Sequence, residues 1–214
     1  MKLAIWGAGG HGAVVLDAVR RQGIYEPIGF IEDMADGGNT LHRSGLPIFY
    51  GRHHLSRLQA NDVNGIVIAV GDEAKRIELA EVVANAGFEL CTVVHPSAVI
   101  CSDARIGAGT VIFAGAVVQT GCDIGKNVII NTCASVDHDC WIGNGAQLAP
   151  RATLGGRVHV GDLTFIGLGV SVINRIKIGR NCVIGAGAVV VRDVPDHTLA
   201  YGVPARIVRE RDPL

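Results

Sequence analysis

The sequence predicts two folds in one chain, a small α/β unit followed by an all-β parallel helix of coils. Three observations carry this. A glycine-rich turn, GAGGHG at residues 7–12, follows a short apolar run at the start. Residues 1–95 alternate strand-like and helix-like segments, the pattern of a parallel sheet covered by helices. From residue 100 onward the apolar period becomes six and holds to residue 190. The expected division is therefore a Rossmann-like unit over residues 1–95 and a β-helix with a C-terminal tail over residues 96–214.

In the first part, KLAIW is expected as a strand entering the glycine turn. Residues 12–22 should form a helix with Val14, Val15, Ala18 and Val19 on one face. PIGFIED is the second expected strand, a short helix is expected near residues 54–58, and GIVIAVGD is a buried third strand. Residues 73–86 carry apolar positions at helical spacing and stop at Gly87. LCTVV, before His95 and Pro96, closes the unit.

In the second part, aliphatic residues stand at Ile100 and at every sixth position through Val190 without a slip. Glycine often follows, and four places after each aliphatic sits a mostly small residue such as Ala116, Cys122, Ala134 or Cys140. A six-residue period marks a parallel β-helix in which each hexad is one flat side and a turn. Three hexads then close one triangular coil of eighteen residues with the aliphatics pointing inward. With 49% apolar residues, only 5% aromatics and 29 glycines, the composition suits such a core of small aliphatic side chains.

Charge and cysteine content narrow the function. Nineteen basic against 20 acidic residues give no electrostatic footprint for nucleic acid or anionic membrane. No run reaches the roughly 20 apolar residues of a membrane span, and the N-terminus has no secretory pattern. The six cysteines contain no C-x-x-C pair, which points to buried thiols in a reducing, cytoplasmic setting and not to a metal. Zinc would need three converging imidazoles, whereas the hexads hold only His138 and His159, 21 apart.

Two sets of residues stand out chemically. His138 lies in VDHDC between Asp137 and Asp139, two places past an inward Val136; acyl transfer to an amine or hydroxyl needs such a base. His159 has no acidic neighbour beside it and is expected as a surface residue; Asn131 and Thr132 are expected to serve turns or a ladder of side-chain hydrogen bonds. In the first part, Gly7, Gly9 and Gly12 fit the G-x-G-x-x-G spacing, and Glu32 follows Gly12 by twenty residues. Such a turn brings backbone amides and a helix N-terminus to a phosphate, and it suits either a dinucleotide or a nucleotide sugar.

The hexads resemble those of the hexapeptide-repeat acyltransferases, whose prisms wind left-handed and assemble as trimers. Taken together, GAGGHG, HPSA (95–98), NTCASVDHDCWIG and the closing YGVPAR resemble one branch, the hexapeptide-repeat sugar O- and N-acetyltransferases. That branch includes UDP-4-amino-sugar and GDP-perosamine N-acetyltransferases and sialic acid O-acetyltransferases. The resemblance implies a left-handed β-helix, acetyl-CoA as co-substrate, no metal, and a homotrimer. It implies His138 as general base with Asp139 fixing its tautomer. It places a nucleotide-sugar acceptor at Gly9, Gly10, His11, Glu32, Asp33, Gly71 and Asp72, and acetyl-CoA at Gln147, Gly156, Leu168 and Ala186. At position 147 the family has a histidine, and here stands an amide. The expected reaction is N-acetylation of a UDP- or GDP-linked 4-amino-4,6-dideoxy sugar. O-acetylation of a sialic acid or other sugar is one alternative. An NAD- or nucleotide-sensing protein that uses the β-helix only to trimerise is another.

Overall fold

The computed structural model describes residues 1–33 and 41–212. They fall into two compact units, the first ending at Pro96 and the second beginning at Ser97.

The first unit is a five-stranded, all-parallel sheet. Its elements are β1 (Lys2–Trp6), α1 (Gly10–Gln22), β2 (Glu26–Glu32), β3 (Ile48–Tyr50), α2 (His54–Gln59), β4 (Val63–Ile68), α3 (Glu73–Asn85) and β5 (Glu89–Leu90). The strand order is β3-β2-β1-β4-β5. Leu3, Ala4, Ile5, Phe30, Ile31, Ile66 and Val67 are fully buried, as strands covered on both faces require. The order reverses between β1 and β4, and ligands of open α/β sheets bind at such a reversal, beyond the carboxyl ends of the strands. The GAGGHG turn leaves β1 there, and residues 69–72 leave β4 beside it, with the Ala69 amide donating to the Trp6 carbonyl at 2.7 Å.

Four elements differ from expectation: β4 ends at Ile68, so the last four residues of GIVIAVGD lie past the strand, and three others depart as follows. Helix α1 begins at Gly10, two residues early, because Gly9 takes the cap position with its backbone alone. The strand β3 was not legible, being three half-buried residues at the sheet edge. LCTVV does not form one strand: Glu89–Leu90 pairs with β4, and Val93–Val94 is a separate short strand.

The second unit is the triangular β-helix. Each flat side is a two-residue strand that pairs in parallel with the strand eighteen residues on, as Ser135 does with Thr153 and Val136 with Leu154. The inward aliphatics from Ile112 to Val190 are buried; Ile100 and Ile106, in the open first coil, are half-buried. Every sixth residue from 109 to 187 has a positive φ, among them Asn127, Cys133, Asp139, Arg157 and Gly187. This left-handed residue makes the sharp corner between flat sides. Glycines directly after the inward aliphatic serve a different need. A Cβ on Gly107 would come 2.5 Å from the Gly125 carbonyl of the next coil, so the coils could not stack. An antiparallel hairpin, Thr198–Gly202 and Ala205–Glu210, extends one side beyond Val183–Ile184.

Candidate active site

His138 stands at a corner of the β-helix, and backbone geometry fixes it there. Asp139 is the left-handed corner residue, with φ 58°. Its amide donates to the Thr120 carbonyl of the previous coil at 3.0 Å, and Arg157 of the next coil donates its amide to the His138 carbonyl at 2.8 Å. The His138 amide donates to Asp137 Oδ1 at 2.8 Å, which closes the turn and gives Asp137 a local role.

His138 Nδ1 lies 2.9 Å from Asp139 Oδ2. A carboxylate accepts only, so Nδ1 carries the proton in that bond and Nε2 keeps its lone pair as an acceptor. The hydrogen bond to His138 holds the Asp139 carboxyl below its usual range, and Arg157 adds to this. Both side chains are about half exposed, so a substrate can reach the imidazole. The ring rests over Gly156, where a Cβ would collide with His138 Nε2 and come 2.7 Å from Cε1. Arg157 Nε approaches the same Asp139 Oδ2 at 3.4 Å, a contact that inspection of neighbouring residues does not reveal. The signal for it is the eighteen-residue step from Asp139 to Arg157.

The residues expected to hold the cofactor do not form one patch on a single chain. Gly156 shares the His138 corner, one coil on. Leu168 and Ala186 share another corner, where the Gly187 amide donates to the Leu168 carbonyl at 2.8 Å. The flat side bearing Ser135, Thr153 and Ser171 separates the two corners. Leu168 and Ala186 are exposed. Gln147 stands outward on a different flat side, half-buried, with its Oε1 enclosed and without a hydrogen-bond partner among the described residues. Asn131 Oδ1 accepts the Thr132 amide at 2.8 Å, a turn contact. His159 is more enclosed than a plain surface residue: its ring stacks on Trp141 at 4.2 Å and 13°. Burial, and then Lys177, lower its pKa.

At the sheet reversal the glycines of GAGGHG divide by task. Gly7 has φ 114°, and a Cβ there would lie 2.6 Å from the Ala69 carbonyl oxygen. A Cβ on Gly12 would strike the Gly7 carbonyl. Packing therefore demands both. Gly9 and Gly10, by contrast, face open space, as does Gly71. Packing does not explain these three, and each leaves backbone exposed where a phosphate would approach. A cleft of about 300 Å³ opens at the turn, lined by Ala8, Gly9, Gly10, Leu41, His42, Arg43 and Ile48.

The acids beside the turn have defined partners. Glu32 Oε2 accepts the Ala8 amide at 3.2 Å and Oε1 accepts the Asp33 amide at 3.1 Å, so Glu32 braces the turn. Asp33 Oδ2 pairs with Arg52 at 3.0 Å, while its Oδ1 is enclosed and without a hydrogen-bond partner among the described residues. Asp72 caps α3, accepting the Lys75 amide at 2.7 Å. His11 lies in the first turn of α1, and the cap position before it is held by Gly9. Burial, and then the cation Arg76, push its pKa down to about 4. Arg76 is fully buried and donates to the Val70 and Gly71 carbonyls at 2.9 and 3.0 Å.

His11 is therefore neutral at pH 7, and stability follows. Its folded pKa of about 4 is below the ordinary imidazole value of 6.5, so between these values the unfolded chain binds more protons. Stability of the first unit should fall as pH drops from 6.5 towards 4, by on the order of 2 kcal/mol after allowance for partial exposure. Urea midpoints across this range check it; His11→Gln should flatten the dependence.

Among the described residues no group of three or more His, Cys, Asp or Glu could hold a metal ion, and no helix is long and apolar enough to cross a membrane. A Rossmann-like unit followed by a β-helix with an acid-paired histidine at its corner defines a hexapeptide-repeat acyltransferase. The comparisons with known proteins carry this further. Residues 2–83 match the family model described as the PglD N-terminal domain. Perosamine N-acetyltransferase from Caulobacter crescentus, solved in complex with CoA and GDP-perosamine, is 36% identical, with 98% of each chain covered and a TM-score of 0.92. The acetyltransferase domain of PglB from Neisseria gonorrhoeae FA1090 is 35% identical, over 97% of this chain and 99% of that one, with a TM-score of 0.89. WeeI from Acinetobacter baumannii AYE, 23% identical over 97% and 100% of the chains with a TM-score of 0.75, shares the fold. No curated protein matches the chain. The chain belongs to the hexapeptide-repeat sugar acetyltransferase family, with a small Rossmann-like domain followed by a left-handed parallel β-helix.

Proposed function

We propose that this protein transfers the acetyl group of acetyl-CoA to the amine of a UDP- or GDP-linked 4-amino-4,6-dideoxy sugar for bacterial glycan synthesis, acting as a cytoplasmic homotrimer. The observation that carries it is the His138–Asp139 pair, present in a chain 36% identical over its length to an enzyme solved with CoA and GDP-perosamine. In the reaction the amine attacks the thioester carbonyl. His138 Nε2 takes the proton that the amine loses, the C–S bond breaks, and the proton passes to the departing thiolate. Gln147, with an amide where the family has a histidine, donates to the cofactor without titrating. A CoA-release assay with UDP- and GDP-linked amino sugars tests the reaction. Turnover with none of them sinks the proposal.

The exposed Gly9 and Gly10 backbone supports a nucleotide diphosphate at the turn. UDP or GDP should raise the melting temperature, by about 2.7 kcal/mol of stabilisation at one hundred times the dissociation constant. NAD and NADP should give no comparable shift, and Gly10→Val should abolish the nucleotide effect by filling the space before the turn. A shift with NAD alone would put the nucleotide-sensing reading in its place.

The separation of the His138 corner from the Leu168–Ala186 corner supports a site shared between copies. Leu168 is 54% exposed, so Leu168→Asp should fold while weakening acetyl-CoA binding. Mixed with His138→Ala and allowed to exchange subunits, it should recover roughly a quarter of wild-type activity, the chance of pairing one intact corner of each kind. An active monomer in sedimentation would refute the shared site.

A further inference from the structure

The Asp139 carboxylate that holds His138 is itself held from the next coil. Asp139 Oδ2 accepts from His138 Nδ1 at 2.9 Å and stands 3.4 Å from Arg157 Nε. The backbone locks the two coils in this register, through the Arg157 amide on the His138 carbonyl at 2.8 Å. One oxygen therefore serves two cationic or potentially cationic donors. We propose that Arg157 is a positioning residue of the acetyl transfer, which pins the Asp139 carboxylate and moderates the basicity that Asp139 confers on His138.

The physical reason lies in the sign of each charge. A carboxylate beside an imidazole favours the protonated ring and raises its pKa; a guanidinium on the same oxygen offsets part of that field. Arginine stays charged at every working pH, so the correction does not vary with conditions. Only an unprotonated imidazole can accept the proton of an amine, so a fixed positive charge on the shared oxygen works in favour of the base. Other charged groups face the pair as well. Asp137 lies on the same corner with its Oδ1 on the His138 amide. Asp103, two coils back, accepts from Thr120 and Gly121 and acts on Asp139 through space. The buried thiols of Cys122 and Cys140 lie close enough to sense Asp139 and Asp137. Beyond Arg157 the next coil brings Arg175, whose amide donates to the Gly156 carbonyl at 2.9 Å. Of these, only Arg157 shares the oxygen that holds the base.

This inference rests on His138 being the base, and the experiment separates the two. Arg157 has φ 61°, so Arg157→Asn is the replacement of choice, because Asn accepts the left-handed conformation; Arg157→Gly is the second. The imidazole resonance of His138, identified by its absence in His138→Ala, is followed by NMR against pH. Arg157→Asn should move the His138 titration to higher pH at low ionic strength, with the gap closing in high salt. The acidic limb of kcat/KM should move up by the same amount, with little change in either KM. Arg157→Lys should restore most of the wild-type pKa. An unmoved His138 pKa in both the Asn and Gly variants overturns the inference, as does a raised KM with an unmoved pKa. A pKa that rises while the rate profile stays in place shows the coupling of Arg157 to His138 but removes His138 as the base, and overturns the part of Arg157 in the acetyl transfer with it.

Discussion

His138→Ala should lower kcat by about 10²–10⁴ while leaving the melting temperature near the wild-type value. The ring is half exposed and packs no core, so its removal leaves no buried cavity. The backbone hydrogen bonds that form its corner, from Asp139 to Thr120 and from Arg157 to His138, do not use the side chain. In the proposed reaction what disappears is the acceptor for the amine proton, and with it the step that general base catalysis accelerates. Binding of acetyl-CoA, measured by calorimetry, should barely change. Steady-state turnover within threefold of wild type would take His138 out of the mechanism. Asp139→Asn should lose less, because the amide oxygen can still accept from Nδ1 although the charge that stabilises an imidazolium is gone.

A single methyl group should also disable the site. In Gly156→Ala the new Cβ would strike His138 Nε2, and the imidazole must swing away. The fold can absorb this, since the obstructing atoms belong to a mobile side chain and Gly156 has no positive φ. Catalysis cannot, because displacing a reacting group by about 1 Å can cost on the order of 100-fold in rate. The expectation is a kcat reduced by about 10–100-fold with stability unchanged. Gly155→Ala provides the contrast: its Cβ would lie 2.8 Å from the Asn174 amide nitrogen, in backbone that cannot step aside. That variant should lose stability in a thermal melt. If Gly156→Ala turned over at the wild-type rate, the seat for the imidazole would have no catalytic meaning.

The hexad register was legible because burial imposes it. An aliphatic every sixth residue can point inward along this length only if the chain coils with eighteen residues per turn, and the strand pairings follow that step. The corner residue was less legible. Glycine marks it at 109, 115 and 121, but Asn127, Cys133, Asp139 and Arg157 occupy the same conformation without a shared chemistry. Propensity is overridden there by the stacking of one coil on the next. The short edge strand Ile48–Tyr50 escaped for a related reason, since three half-buried residues carry no periodicity.

By itself the sequence determined the two folds, the glycine turn, and the histidine flanked by acids, because local pattern and covalent neighbourhood specify all three. Tertiary structure decided which atoms meet. It showed that Gly7 and Gly12 are needed for packing while Gly9 and Gly10 face open space. It turned Glu32 back onto the Ala8 amide and put the Asp72 carboxylate on the Lys75 amide. It brought Gly156 beneath His138, and Arg157 onto Asp139, across a step of eighteen residues. Such contacts depend on where the chain lies after each full coil, a distance in space that neighbouring residues do not encode.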